Sequence, residues 1–231
     1  MQRLDKLLSE AGVASRKELK TIIRAGRVTV DGTVVKNPEA KVDEQSAAVC
    51  VDGQPVGKQR AVLLMLHKPA GYVTSTDDPR DRTVMELLPQ EYRYLDPKPV
   101  GRLDKETEGL LLFTNDGQLA HRILSPKHRV WKRYYAEHEG EAEQADVDAF
   151  AEGITLKDGD RCLPAKLLPQ GPCRSIVEVC EGKYHQVRRM LASRGMPVTY
   201  LKRISEGGLE LGSLPLGQVR EVDVGELGEG L

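Results

Sequence analysis

The apolar residues of this chain come in short runs, and this limits most what it can fold into. The longest, 61–66 and 110–113, fall far short of the roughly 18–20 residues that a membrane-crossing helix needs. The opening MQRLDKLLSE has charges where a signal peptide has its apolar core. Secretion and membrane insertion are therefore not expected. The 231 residues suit one large domain, or one small and one medium domain. Apolar residues make up 39% and charged residues 30%, the balance of a folded soluble chain. Aromatic residues are scarce, with one Trp, seven Tyr and two Phe, so the core must be built from Leu, Val, Ile and Ala. Cysteines 50, 162, 173 and 180 have no C-x-x-C spacing. They suggest neither a zinc site nor a disulfide framework, and reduced thiols in the cytoplasm are expected.

Helical spacing places Leu4, Leu7, Leu8 and Ala11 on one face, and Gly12 ends that turn. Ser15 and Glu18 form a capping box, opening a helix that points Leu19, Ile22 and Ile23 inward and closes at Gly26. Arg16, Lys20, Arg24 and Arg27 share one face of that helix and its exit. Val28–Val30, the Asp31-Gly32 turn and Val34-Val35 read as a hairpin. The strand-turn signal recurs at 49–53. The polar stretch 57–60 is taken as a boundary between domains 1–60 and 61–231. Beyond it, strands are expected at 61–67, 110–114, 130–137, 175–180, 198–204 and 219–224. Helices are expected at 83–88, 117–124, 143–152 and 184–194, and long loops at 76–82 and 89–99. Strands dominate, so the fold class expected is α+β with a mixed, mainly antiparallel sheet.

A net charge of −1 hides strong segregation. Residues 1–27 sum to +4, 120–135 hold five Lys/Arg and no acid, and 181–203 sum to +5. Residues 137–160 sum to −8 and 204–231 to −5. Separate basic patches are a footprint of nucleic-acid binding, and the acidic stretches should then lie elsewhere.

Three segments could carry chemistry: LHKPAGYV from Leu66, GRLDKETEGLLLFTNDG from Gly101, and EGKYHQVRRM from Glu181. On residues alone, Asp104 between Gly101 and Gly109 reads first as a turn-capping aspartate, and second as a carboxylate projecting into a cleft. Arg188 and Arg189 read as surface charges, and His185 as a structural hydrogen-bonding residue.

In this order the three segments resemble the signature set of the bacterial rRNA pseudouridine synthases, with Lys132-Arg133-Tyr134 matching their tyrosine segment. LHKPAGYVTSTDDPRDRTV resembles the small-subunit, 16S rRNA branch. RLDKLLSEAG…SRKELKTIIRAGRVTVDG resembles an S4-type RNA-binding domain. The resemblance implies an S4-like domain followed by a synthase domain. It also implies isomerisation of one uridine of 16S rRNA, at position 516, within a small-subunit assembly intermediate. No redox step is involved, so no cofactor or metal is expected. Asp104 would be the nucleophile, Tyr134 would pack on the target base, and Arg188 or the adjacent Arg189 would pair with Asp104. Arg102 and Lys132 would contact RNA near the flipped base. Arg16, Lys17, Lys20, Arg24 and Arg27 would hold a second RNA element. The protein is taken to be a monomer without a membrane partner. Three other readings compete: a 23S rRNA synthase, a non-catalytic S4-type RNA-binding protein, and a glycosidase. The last needs two carboxylates, and only Glu106 and Glu108 are close in sequence.

Overall fold

The computed structural model describes residues 1–44, 46–57, 61–93 and 95–228. The chain divides into two compact units, one of Met1–Val62 with Leu88–Lys98, the other of Leu63–Leu87 with Pro99 onward. Three residues of the expected boundary, 58–60, lie outside the described residues.

The first unit contains β1 (Gln2–Arg3), α1 (Leu4–Glu10), α2 (Arg16–Arg24), β2 (Val28–Val30), β3 (Thr33–Val34), β4 (Lys41–Val42), β5 (Val49–Val51), β6 (Gln54–Val56) and the short α3 (Gln90–Arg93). The capping box is formed as expected, with Glu18 N–H donating to Ser15 Oγ and Ser15 N–H to Glu18. Both hairpin turns use an aspartate and a glycine with positive φ, Asp31-Gly32 and Asp52-Gly53, which matches the twist of the flanking strands. Strands run in the order β3-β2-β5-β6, while β1 pairs with β4. Leu4, Leu8, Leu19, Ile23, Val28, Val42 and Val49 form the core; Ile22 is only half-buried.

Asp5 is buried in this unit and held by Arg3 at 3.0 Å and Arg16 at 3.1 Å. The hydrogen bond from Arg3, aided by Arg16 and opposed by burial, holds its carboxyl below the usual carboxylate range. A lowered carboxyl pKa stabilises the fold above the unfolded value, and this is lost as pH falls through the folded one. Asp5→Asn should therefore lower the urea midpoint at neutral pH, and the gap to wild type should narrow as pH falls below the ordinary aspartate value of about 3.9. Equal gaps at neutral pH and below that value would refute this role for Asp5.

The second unit contains β7 (Leu63–Lys68), β8 (Lys98–Val100), β9 (Glu108–Thr114), α4 (Gly117–Leu124), β10 (Lys132–His138), α5 (Gln144–Glu152), β11 (Lys166–Pro169), β12 (Arg174–Val179), α6 (Gln186–Ser193), β13 (Val198–Glu206), β14 (Leu209–Glu210) and β15 (Val219–Glu221). They build a nine-stranded sheet of order β11-β12-β10-β13-β9-β7-β15, with β14 beside β13 and β8 beside β9. Among the pairings given with a register, only β13–β9 is parallel. The fold is thus α+β on a mixed, mainly antiparallel sheet. β7 is buried along its whole length and β9 is nearly so, which is why consecutive apolar residues, 63–66 and 110–113, make up most of each. One core cluster combines Met65, Leu110 and Leu112 with Leu119 and Ile123 of α4. No helix among the described residues is long and apolar enough to cross a membrane.

The differences from expectation have local causes. The helix expected at 184–194 starts at Gln186, because His185 is left-handed at φ 48°. Residues 84–87 form a 3-10 turn, with Glu86 accepting from Thr83 N–H. The last strand stops at Glu221, and Asp223 caps a 3-10 turn. The loop expected at 89–99 contains α3 and the start of β8, and β11 was not foreseen. All four cysteines are free thiols.

Candidate active site

The floor of the site is a row across the sheet. Tyr134 on β10 pairs with Val177 and Arg203, and Arg203 pairs with Gly109 on β9. An added Cβ on Gly109 would lie 2.1 Å from the Arg203 carbonyl oxygen, and its φ is +110°. Glycine is therefore required where β9 enters the sheet. Just before it, residues 101–107 run as a loop.

The backbone of this loop is gripped from below. Lys68, at the end of β7, is fully buried and donates from Nζ to the carbonyls of Pro69, Asp104, Lys105 and Thr107 at 2.9–3.2 Å. Thr74 Oγ1 donates to the Leu103 carbonyl and accepts from Leu103 N–H. Gly71 N–H donates to the Lys105 carbonyl. With its carbonyls turned down to one ammonium, the loop presents the Asp104 carboxylate to a cleft of about 790 Å³. That volume suits a bound small molecule or a single nucleotide, within the roughly 300–1,000 Å³ of ligand pockets.

His185 Nε2 lies 3.4 Å from one Asp104 oxygen and Arg188 Nε 3.9 Å from the other. Arg188 also donates to the Glu106 carbonyl and to Thr107 Oγ1, both at 3.4 Å. An imidazole and a guanidinium thus flank an accessible carboxylate.

The expected site residues separate clearly. Arg102, Asp104, Lys132, Tyr134 and Arg188 all line the cleft. Arg102 does so from a loop, not from the strand continuation that alternation would have required. Arg189 does not line it: the guanidinium pairs with Asp158, lies 3.9 Å from Asp160, and donates to the Tyr184 carbonyl. The expectation of Arg189 at the nucleophile is therefore corrected, because one helical step turns it toward the acidic loop. Lys132, expected to contact RNA, lines the cleft with little of its side chain exposed. Its Nζ lies 3.8 Å from Glu206, and burial pushes its pKa down against the pull of Glu206. Burial also pushes the Tyr134 hydroxyl up, so that the phenol stays protonated. Tyr135 turns to the other face, where it meets Tyr200 edge-on and hydrogen-bonds Glu137.

Three contributors were missed in the sequence. Arg203 is buried, donates to the Leu110 carbonyl at 2.7 Å, and shares Glu206 with Lys132 at 3.3 Å. A β-bulge between Arg133 and Tyr134 brings these groups under one floor. Thr74 and Lys68 are the others. A lysine inside the otherwise apolar run LLMLHK was the available signal for Lys68, since a fully buried lysine needs partners. Residues of both segments, 120–135 and 181–203, line the cleft, with Lys132 the one Lys/Arg of the first segment among them, and residues 137–160 do not. Glu206, at the head of the acidic tail, is buried beside Arg203 and Lys132.

In the first unit, Arg16 is tied to Asp5 and Arg27 to Asp52. Lys17, Lys20 and Arg24 are exposed and form no ion pair among the described residues.

Comparison with known proteins identifies the family of the chain. The profile of the RNA pseudouridylate synthase family matches residues 62–193, and that of the S4 domain matches residues 2–47. An uncharacterized RNA pseudouridine synthase of Bacillus subtilis is 42% identical over 97% of this chain and 96% of its own. The ribosomal small subunit pseudouridine synthase A of Escherichia coli is 39% identical over 90% of each chain. A crystal structure of a pseudouridylate synthase superposes with a TM-score of 0.69 at 33% identity, covering 98% of both chains. With a match over more than half its length and a shared fold throughout, the chain belongs to the RNA pseudouridine synthases and carries an S4 domain at its N-terminus.

Proposed function

We propose that this protein isomerises one uridine of 16S rRNA, the position-516 uridine, within a small-subunit assembly intermediate. The observation that carries the reading is Asp104, presented to the cleft by the Lys68-held loop and flanked by His185 and Arg188. The choice of 16S rRNA is supported by likeness to the E. coli small-subunit enzyme.

In the reaction the C1′–N1 bond breaks, a C1′–C5 bond forms, the C5 proton leaves and N1 gains a proton. The sum is an isomerisation, with no oxidant or reductant. Asp104 serves as the nucleophile and Tyr134 packs on the base. Arg188 orients the Asp104 carboxylate, and Arg102 occupies the place left in the RNA. The uridine must leave its helix to reach Asp104, at a cost of a few kcal/mol, offset by phosphate contacts along the basic rim. Lys17, Lys20 and Arg24 bind a second RNA element, which raises the effective concentration of the target.

The test is tritium release from 16S rRNA labelled at uridine C5, free and in assembly intermediates, followed by mapping of the product. Release from a 16S substrate is the expected result. Release only from 23S rRNA would reassign the substrate, and silence on both would overturn the reading.

A further inference from the structure

At the lip of the cleft the rings of Tyr184 and His185 stack, with centroids 3.8 Å apart and planes at 18°. Tyr184 is 75% exposed, the most exposed aromatic side chain among the described residues. One face of its ring is covered by His185 and the rest is open to water. A single exposed apolar side chain is ordinary; this one lines the same cleft as Asp104 and stacks on His185, whose Nε2 lies 3.4 Å from the Asp104 carboxylate.

The stack is built on a firm base. His185 adopts a left-handed φ of 48°, uncommon outside glycine. Gln186 accepts from Lys183 N–H and donates to Glu181 at 2.7 Å. Lys183 Nζ donates to the Arg161 carbonyl at 2.8 Å. Arg189 donates to the carbonyl of Tyr184 itself. The ring is thus held ready before RNA arrives, which reduces the ordering cost of binding. An open, backed aromatic face at the mouth of a basic cleft is the arrangement on which unpaired nucleobases stack.

We propose that Tyr184 is the stacking platform for an unpaired nucleobase flanking the target uridine, a subsite beside the catalytic one. The proposal rests on the uridine-isomerase reading above. Its ligand is the π-face of a base, so the subsite selects unpaired RNA next to the target.

The experiment uses the full chain and its 16S rRNA substrate, measuring kcat and KM by tritium release for wild type, Tyr184→Phe and Tyr184→Leu. Leu keeps apolar cover on His185 but loses the ring. Phe should match wild type. Leu should raise KM about tenfold, since one base–aromatic stack spans about 1–3 kcal/mol, with kcat within about twofold. In parallel, 2-aminopurine is placed on the 5′ or 3′ side of the mapped uridine. Its fluorescence should be quenched on binding in one of the two positions, and Tyr184→Leu should remove that quench. An unchanged KM in the Leu variant overturns the proposal. So does a raised KM without quenching at either position, which would show Tyr184 acting only through His185. Absence of tritium release by the wild type itself is a separate outcome, and takes down the isomerase reading together with this one.

Discussion

Asp104→Asn should abolish turnover, by about 10⁴-fold or more, while affinity for RNA stays within about threefold. The loop does not depend on the carboxylate for its shape. It is held through backbone carbonyls by Lys68 and through Leu103 by Thr74. The contacts that Asp104 does make, to His185 at 3.4 Å and Arg188 at 3.9 Å, are long. Arg188 keeps its bonds to Glu106 and Thr107 without it. Asparagine fills the same space and lacks the charge and nucleophilicity of the carboxylate. Single-turnover tritium release paired with filter binding checks both halves. Turnover within tenfold of wild type would remove Asp104 from the chemistry. Loss of binding with the fold intact would move it from the chemistry to RNA recognition.

The second large effect is expected at a residue that need not touch the RNA. Lys68→Met leaves the carbonyls of Pro69, Asp104, Lys105 and Thr107 without their shared donor. Each unpaired buried group costs about 1–3 kcal/mol, and partial rehydration of the loop sets the total near about 3 kcal/mol. For a chain of this size that lowers Tm by about 6–12 °C. The Asp104 carboxylate would also lose its position, and a shift of about 1 Å is enough to slow the reaction about 100-fold. Lys68→Arg should not rescue either property, because the fully buried site is sized for an ammonium. A pH signature accompanies this. Burial pulls Lys68 down from 10.5 to about 8, against the opposing pull of Glu106, Asp104 and Glu108. Between those values the unfolded chain binds more protons than the folded one, so this group adds stability as pH rises. The stability difference between wild type and Lys68→Met should widen across that window. Thermal unfolding at neutral and alkaline pH, with single-turnover rates below Tm, measures all three effects. A variant with unchanged Tm and full activity would show that the loop holds its shape without Lys68.

The sequence by itself determined the elements and the chemistry-bearing segments of this protein. The Ser15 capping box, the two Asp-Gly hairpins, helix 117–124 and the apolar runs of β7 and β9 depend on neighbours a few residues away. Local propensity and spacing are enough to specify them. The family resemblance of the GRLD segment singled out Asp104, and alternation along β10 sends Tyr134 and Tyr135 to opposite sides. What only the tertiary structure decided depends on residues far apart in the chain. Arg188 and Arg189 are equivalent as sequence; α6 packs one beside Asp104 and hands the other to Asp158 and Asp160. Lys132 and Lys68 read as ordinary cations; the sheet buries both, one against Glu206 and the other under the loop. Arg203 joins the floor only because the β13–β9 register and the β10 bulge bring Gly109, Arg203 and Tyr134 into one row. Burial and cross-strand register are properties of the assembled sheet, and they convert residues of the same type into a carboxylate's partner, a loop clamp or a surface charge.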